Sequence, residues 1–183
     1  MTLTELAEKH GTDKCPSIAH SYTPFYEELM AGRDIRRLLE IGIWEGQSLR
    51  MWEEWLPGAE IYGVDIDPAR LVWGGRIRSS LCDQGDGSAL AELARSIGVL
   101  DVVVDDGSHL AIHQVVSANA LLPFVAPGGL YIIEDVHRKA LDLVVACLKA
   151  PAGVSCTARV VRFDNPKVGT DDDNLIVVEV TKL

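Results

Sequence analysis

At 183 residues the chain has the length of one ordinary domain, and 48% hydrophobic with 24% charged residues is the balance of a folded protein, not a disordered one. Lys and Arg number 17 against 27 Asp and Glu, a formal net charge of −10 that works against nucleic acid and anionic membranes and suits a small neutral or cationic ligand. Cys15, Cys82, Cys147 and Cys156 show no CxxC spacing, which excludes a zinc staple or a disulfide framework and fits a reducing compartment.

The N-terminal stretch to Lys14 carries charges throughout and lacks the apolar run of an export signal, so a cytoplasmic protein is expected. Residues 1–35 read as two short helices flanking His10-Gly11-Thr12-Asp13-Lys14, a lid segment ahead of a core over 36–183 within a single domain. Val, Ile and Leu-rich runs at Arg37–Ile41, Glu60–Ile66, Leu100–Val104 and Leu130–Ile133 read as strands, with a weaker one at Ile77–Leu81. Amphipathic segments at Gln47–Trp55, Gly87–Ile97, Leu110–Phe124 and Val136–Lys149 alternate with them, the pattern of βαβ units around a parallel sheet. Leu121–Ile133 is the most apolar stretch, but Pro123, Pro127, Gly128 and Gly129 break it and it is too short to span a bilayer. Two extended runs, Ser155–Phe163 and Asn174–Val180, joined by a polar turn over Asp164–Asp173, close the chain as an antiparallel hairpin. The whole is an α/β doubly wound, seven-stranded, Rossmann-like sheet ending in that hairpin, the order of class I methyltransferases; a dinucleotide-binding domain ends on a parallel strand instead.

The first strand runs into Leu39-Glu40-Ile41-Gly42-Ile43-Trp44-Glu45-Gly46 and then directly into a helix. Gly42 permits a tight turn and close backbone approach, and Gly46 close packing at the helix start. Nineteen residues beyond Gly46 the second strand ends at Asp65, a carboxylate placed to hold the two hydroxyls of a ribose. GxxxG in place of GxGxxG, together with the hairpin, favours S-adenosylmethionine over a nicotinamide cofactor. Glu40 is a candidate for the cofactor's ammonium, directly or through water, while Asp83 and Gln84 offer donors and acceptors to an adenine edge unless they form an ordinary solvated loop.

The fourth strand ends in Val104-Asp105-Asp106-Gly107-Ser108-His109 and the fifth in Ile133-Glu134-Asp135. Neighbouring strands lie about 4.8 Å apart, so these carboxylates converge where the fold binds ligands. Neither motif contains Lys or Arg, and a divalent cation, Mg²⁺ or a similar hard ion, would neutralise the cluster and hold an acceptor hydroxyl. Asp105 is grouped with the cofactor-binding residues. His109 is placed to take the proton as the hydroxyl attacks a methyl group. Strand-end capping and turn formation is the alternative for each residue taken singly. His113 completes an HxxxH pair without a third zinc-like ligand and is expected on the helix surface or behind the site, His137 at a helix start. Trp44, Trp52, Trp55 and Trp73 are expected as packing residues.

Four segments resemble the metal-dependent sugar O-methyltransferases of macrolide and related natural-product biosynthesis: Gly11-Thr12-Asp13-Lys14 with His20, Tyr22 and Tyr26; Leu39-Glu40-Ile41-Gly42 with Gly46; Val104 to His109; and Gly128 to Asp135. The resemblance implies that Asp106, Glu134 and Asp135 are metal ligands, that His109 is the general base, and that Lys14 meets the cofactor carboxylate. The chain departs from larger members in lacking their additional N-terminal domain and in passing from Asp135 straight into Val136-His137-Arg138-Lys139 without an aromatic substrate loop. The expected acceptor is a small molecule, a glycoside or another hydroxylated compound, with no nucleic acid or membrane partner and with oligomeric state and regiochemistry left open. A non-catalytic S-adenosylmethionine-binding protein and a nicotinamide-dependent oxidoreductase are the alternatives.

Overall fold

The computed structural model describes residues 1–163 and 171–182. The turn expected over Asp164–Asp173 lies mostly outside the described residues. Strands β1 (Arg37–Ile41), β2 (Glu60–Asp65), β3 (Ile77–Leu81), β4 (Leu100–Asp105), β5 (Val125–Ile133), β6 (Val154–Arg162) and β7 (Asn174–Lys182) form one sheet in the order β3-β2-β1-β4-β5-β7-β6. The first five are parallel; β7 pairs antiparallel with β5, and β6 antiparallel with β7. Strand order reverses between β1 and β4, where their chain ends part and leave a crevice.

Alternation along the strands splits the core in two, because successive side chains leave a strand on opposite faces. Leu38, Val102, Val104, Leu130, Ile132 and Val177 face α1 (Leu3–His10), α2 (Tyr22–Met30) and α3 (Gln47–Trp55). Leu39, Ile41, Val103, Tyr131, Ile133 and Val178 face α4 (Gly87–Ile97), α5 (Ala111–Leu121) and α6 (Leu141–Cys147). Both N-terminal helices therefore bury their apolar side in the same core as the strands. Thr2 starts α1 with a reciprocal cap, its hydroxyl accepting from the Glu5 amide while the Glu5 carboxylate accepts from the Thr2 amide. Asp86 starts α4 by accepting from Ser88 and Ala89.

Three elements differ from the sequence expectation for local reasons. The helix expected over Val136–Lys149 is shorter, a 3₁₀ turn at Arg138–Ala140 followed by α6, because Asn174 bonds both the amide and the carbonyl of Val136 and holds the chain extended there. β5 begins at Val125, five residues early, and accommodates Pro127, Gly128 and Gly129 through a register shift opposite Leu100 and Val102. Trp44 and Trp73 are not core residues: both are about two-thirds exposed, whereas Trp52 is fully buried. All four cysteines are free, as expected. Among the described residues no helix is long and apolar enough to cross a membrane.

Candidate active site

The hydrogen-bond ladder of the sheet continues one residue past the strand ends. Gly42 donates its amide to Val64, Asp106 to Ile41 and Glu134 to Asp105, at 2.8 to 2.9 Å, so the turn glycine and the two acidic residues form one row along the crevice. Gly42 has φ +89°, and a Cβ there would lie 2.0 Å from the Asp106 carbonyl oxygen. The first turn and the end of β4 thus touch backbone to backbone. Gly46, also left-handed, starts α3, and a Cβ there would lie 2.8 Å from Val72 Cγ2.

Two adjoining cavities open on this row. One, of about 360 Å³, is bounded by Gly11, Gly42, Trp44, Asp65, Asp106 and His109; the other, of about 190 Å³, by Ile41, Val64, Ile66, Cys82, Asp83 and His113. Gly42, Asp65 and Gly107 line both. Asp65 is anchored by two turns, its Oδ2 accepting from the Ile43 amide of the turn after β1 and its Oδ1 from the Asp67 amide of its own, each at 2.9 Å. Trp44 reaches its exposed place through a left-handed φ of 51° and carries the Arg70 guanidinium 4.0 Å above its ring.

Lys14 is the principal difference from the electrostatics read in the sequence. Its ammonium, fully buried, lies 2.5 Å from Asp106 Oδ2, 2.7 Å from Glu134 Oε2 and 3.3 Å from Glu40 Oε1. A cation from 92 residues upstream therefore partly neutralises the acidic cluster that neither strand motif could balance. Burial opposes the charged ammonium, yet Asp106, Glu134 and Glu40 together hold its pKa well above the ordinary lysine value. Glu40 does not open on the cavity: it is wholly buried, accepts from Trp52 Nε1 at 3.2 Å, and its Oε1 makes no hydrogen bond. Burial lifts its pKa to about 7.

Around the ends of β4 and β5, Asp106, His109 and Asp135 bring one donor atom each to within 4.8 Å of one another. His109 stands at φ 58°, a left-handed position that turns its ring back, with Nε2 3.2 Å from Asp106 Oδ1 and 3.7 Å from Asp135 Oδ2. Its hydrogen bond with Asp106 raises the imidazole pKa above the ordinary value. For Asp106, burial favours the neutral form, but Lys14 and His109 prevail and lower its pKa; burial raises that of Asp135. Glu134 is buried between Lys14 and Tyr26, whose hydroxyl donates to Oε1 at 2.5 Å. The two carboxylates at this separation suit a divalent cation, since hard ions prefer oxygen donors, and the imidazole stands beside them.

Asp105 faces inward, and Gln84 lines the smaller cavity while bonding to Asp105. Asp105 is fully buried and accepts from Gln84, Ser117 and Tyr131, while Gln84 Oε1 accepts from the Ser108 amide. This network fixes the loop that carries His109. Burial raises the Asp105 pKa to about 6. Asp83 closes its own turn by accepting from Gly85 and lines the smaller cavity, and His113 reaches the same cavity with Nδ1 2.9 Å from Ser108 Oγ. His137 is exposed, with Asp172 4.0 Å away, and starts the 3₁₀ turn. Sequence reasoning assigned no task to Asp173, which is buried and 3.1 Å from His20 Nδ1, nor to the hydroxyls of Tyr22 and Tyr26. The i, i+4 spacing of the two tyrosines, one helical face, was the available signal.

No protein-family model matches the chain. Mycinamicin VI 2''-O-methyltransferase of Micromonospora griseorubida is 43% identical over 145 residues, 73% of this chain and 36% of the relative. Demethylmacrocin O-methyltransferase of Streptomyces fradiae is 42% identical over the same shares. The structure of MycE methyltransferase from the mycinamycin biosynthetic pathway, in complex with Mg and SAH, superposes with a TM-score of 0.78 at 29% identity, covering 100% of this chain and 55% of that one. The chain is a homologue of these sugar O-methyltransferases and has the class I methyltransferase fold. It spans about a third of the length of the curated relatives it matches. The expected seven-stranded doubly wound sheet and its terminal hairpin are borne out by this likeness.

Proposed function

We propose that the chain transfers a methyl group from S-adenosylmethionine to a hydroxyl of a glycosylated small molecule, with a divalent cation, Mg²⁺ or similar, at Asp106 and Asp135 and, in exchange for the Lys14 ammonium on its Oε2, at Glu134. The observation that carries this reading is the convergence of Asp106, His109 and Asp135 beside a cavity floored by Gly42 and Asp65. A second MycE complex holds Mg, SAH and mycinamycin VI, and the donors gathered here suit the ion of that combination. Asp65 would take the ribose hydroxyls at the junction of the two cavities, with the adenine in the smaller, more apolar one between Ile41, Val64 and Asp83. When bound, the cation supplies positive charge that holds and acidifies the acceptor hydroxyl.

His109, at the cavity mouth, accepts the acceptor's proton on the ring nitrogen that Asp106 does not engage, as the hydroxyl oxygen attacks the methyl carbon and the bond from that carbon to the cofactor's sulfur breaks. Asp106 orients that ring and stabilises the imidazolium that results. Lys14 and Glu40 stay behind the reacting atoms and set the charge of the cluster.

Incubation with S-adenosylmethionine, Mg²⁺ and a panel of deoxysugar glycosides tests the reading. Methylated product should form, EDTA should abolish it, and His109→Ala should slow it by about 10²- to 10⁴-fold with cofactor binding intact. Turnover that survives complete metal removal, or a His109→Ala enzyme at full rate, would sink the assignment.

A further inference from the structure

Asp106, Glu134 and Asp135 carry six carboxylate oxygens, and the N-terminal segment occupies four of them. Lys14 takes Asp106 Oδ2 and Glu134 Oε2, Tyr26 donates to Glu134 Oε1 at 2.5 Å, and Tyr22 donates to Asp135 Oδ1 at 2.5 Å. The two that remain are Asp106 Oδ1 and Asp135 Oδ2, and both face His109 Nε2. A carboxylate with two equivalent free oxygens can swing about its last torsion; a donor fixed on one oxygen decides where the other points.

The donors are themselves rigid. Tyr22 and Tyr26 lie four apart on α2 and are fully buried. The Tyr22 ring stacks on His20 at 4.7 Å and meets Phe163 at 5.2 Å; the Tyr26 ring meets Trp52 edge-on at 5.5 Å.

We infer that Tyr22 and Tyr26 are positioning residues of the cation centre, holding Asp135 and Glu134 so that the free oxygens of Asp106 and Asp135 converge with His109, and thereby tying α2 to occupancy of that centre. The inference rests on the cation centre proposed above and concerns residues that do not themselves touch the reacting atoms.

Mn²⁺ titration followed by electron paramagnetic resonance, beside thermal unfolding of the metal-free proteins, tests it. Tyr22→Phe keeps the ring and removes only the donor. It should unfold cooperatively without metal and bind Mn²⁺ about 10- to 100-fold more weakly, the usual scale for a partner that orients a ligand; Tyr26→Phe should weaken binding in the same sense. Mn²⁺ should also slow amide exchange over Tyr22–Met30 in the unaltered protein, since coupling between ion and helix is reciprocal. If wild type and both Phe variants bind Mn²⁺ equally, the inference falls and the cation centre stands. If wild type binds no Mn²⁺, or Asp135→Asn binds it as well as wild type, the centre itself falls and takes the inference with it. Should the Phe variants not fold, the exchange measurement decides: no gain in protection of α2 on adding Mn²⁺ overturns the inference.

Discussion

The Glu40 carboxylate sits where ionisation is costly, wholly buried, with the Lys14 ammonium 3.3 Å from one oxygen that makes no hydrogen bond. Its pKa rises from an ordinary 4.5 to about 7. The folded state therefore holds a proton that the unfolded chain gives up, so stability from this group is fully present below about pH 4.5 and is lost as pH rises towards about 7. Glu40→Gln keeps the shape and removes the titration. The melting temperature of Glu40→Gln relative to wild type should accordingly shift in the variant's favour between pH 5 and pH 8, measured without ligands. A difference that stays flat or moves the other way across that range would show that Glu40 titrates normally. Asp65 lines both cavities. It is half-buried and its two oxygens already accept from backbone amides, so Asp65→Ala is expected to weaken cofactor affinity by about 1–3 kcal/mol, the scale of hydrogen bonds to a charged group, as calorimetry can read directly.

At the level of elements, what matters is the approach of the β1 turn to the end of β4. Gly42→Ala would place a methyl group 2.0 Å from the Asp106 carbonyl oxygen at a φ of +89°. Relief requires the two strand ends to part, and with left-handed strain of about 1–3 kcal/mol added, urea unfolding should show a loss of at least about 3 kcal/mol. A variant within about 1 kcal/mol of wild type would mean the turn yields cheaply and is not what fixes Asp106. Much of this region was legible in the sequence. The apolar runs through Leu38-Leu39 and Val102-Val103-Val104 mark the strands, and Gly46 sits at a helix start. The acidic pairs could be placed as soon as strand order was known. Lys14 was not legible as the cluster's counter-ion, because nothing local links it to Asp106 across 92 residues. Tyr22 and Tyr26 read as one apolar helix face, and their hydroxyls acquire a task only when α2 packs over the ends of β4 and β5. The shortened α6 depends on Asn174, from the far end of the chain, reaching Val136. Local pattern carries elements; it does not carry these long-range polar contacts.

Across the whole molecule, charge is unevenly spent. The chain is at −10 overall, and at the crevice Glu40, Asp106 and Glu134 gather around the ammonium of Lys14, with Asp135 close to Asp106. Like charges held this close in a partly dehydrated site oppose folding unless something relieves them. Protonation relieves them at low pH, and a bound cation would do so near neutrality. An ion that binds the folded chain and not the unfolded one adds RT ln(1 + [L]/Kd), about 2.7 kcal/mol at 100-fold excess over Kd. For a domain of this size each kcal/mol moves the midpoint by about 2–4 °C, so saturating Mg²⁺ or Mn²⁺ should raise the melting temperature by about 5–11 °C. General screening acts on every charge, so KCl at matched ionic strength should give a much smaller rise, and Asp106→Asn or Asp135→Asn should lose the divalent increment while keeping the KCl response. A divalent rise that the Asn variants retain, or that KCl reproduces, would place the effect on the acidic surface at large and not at the ends of β4 and β5.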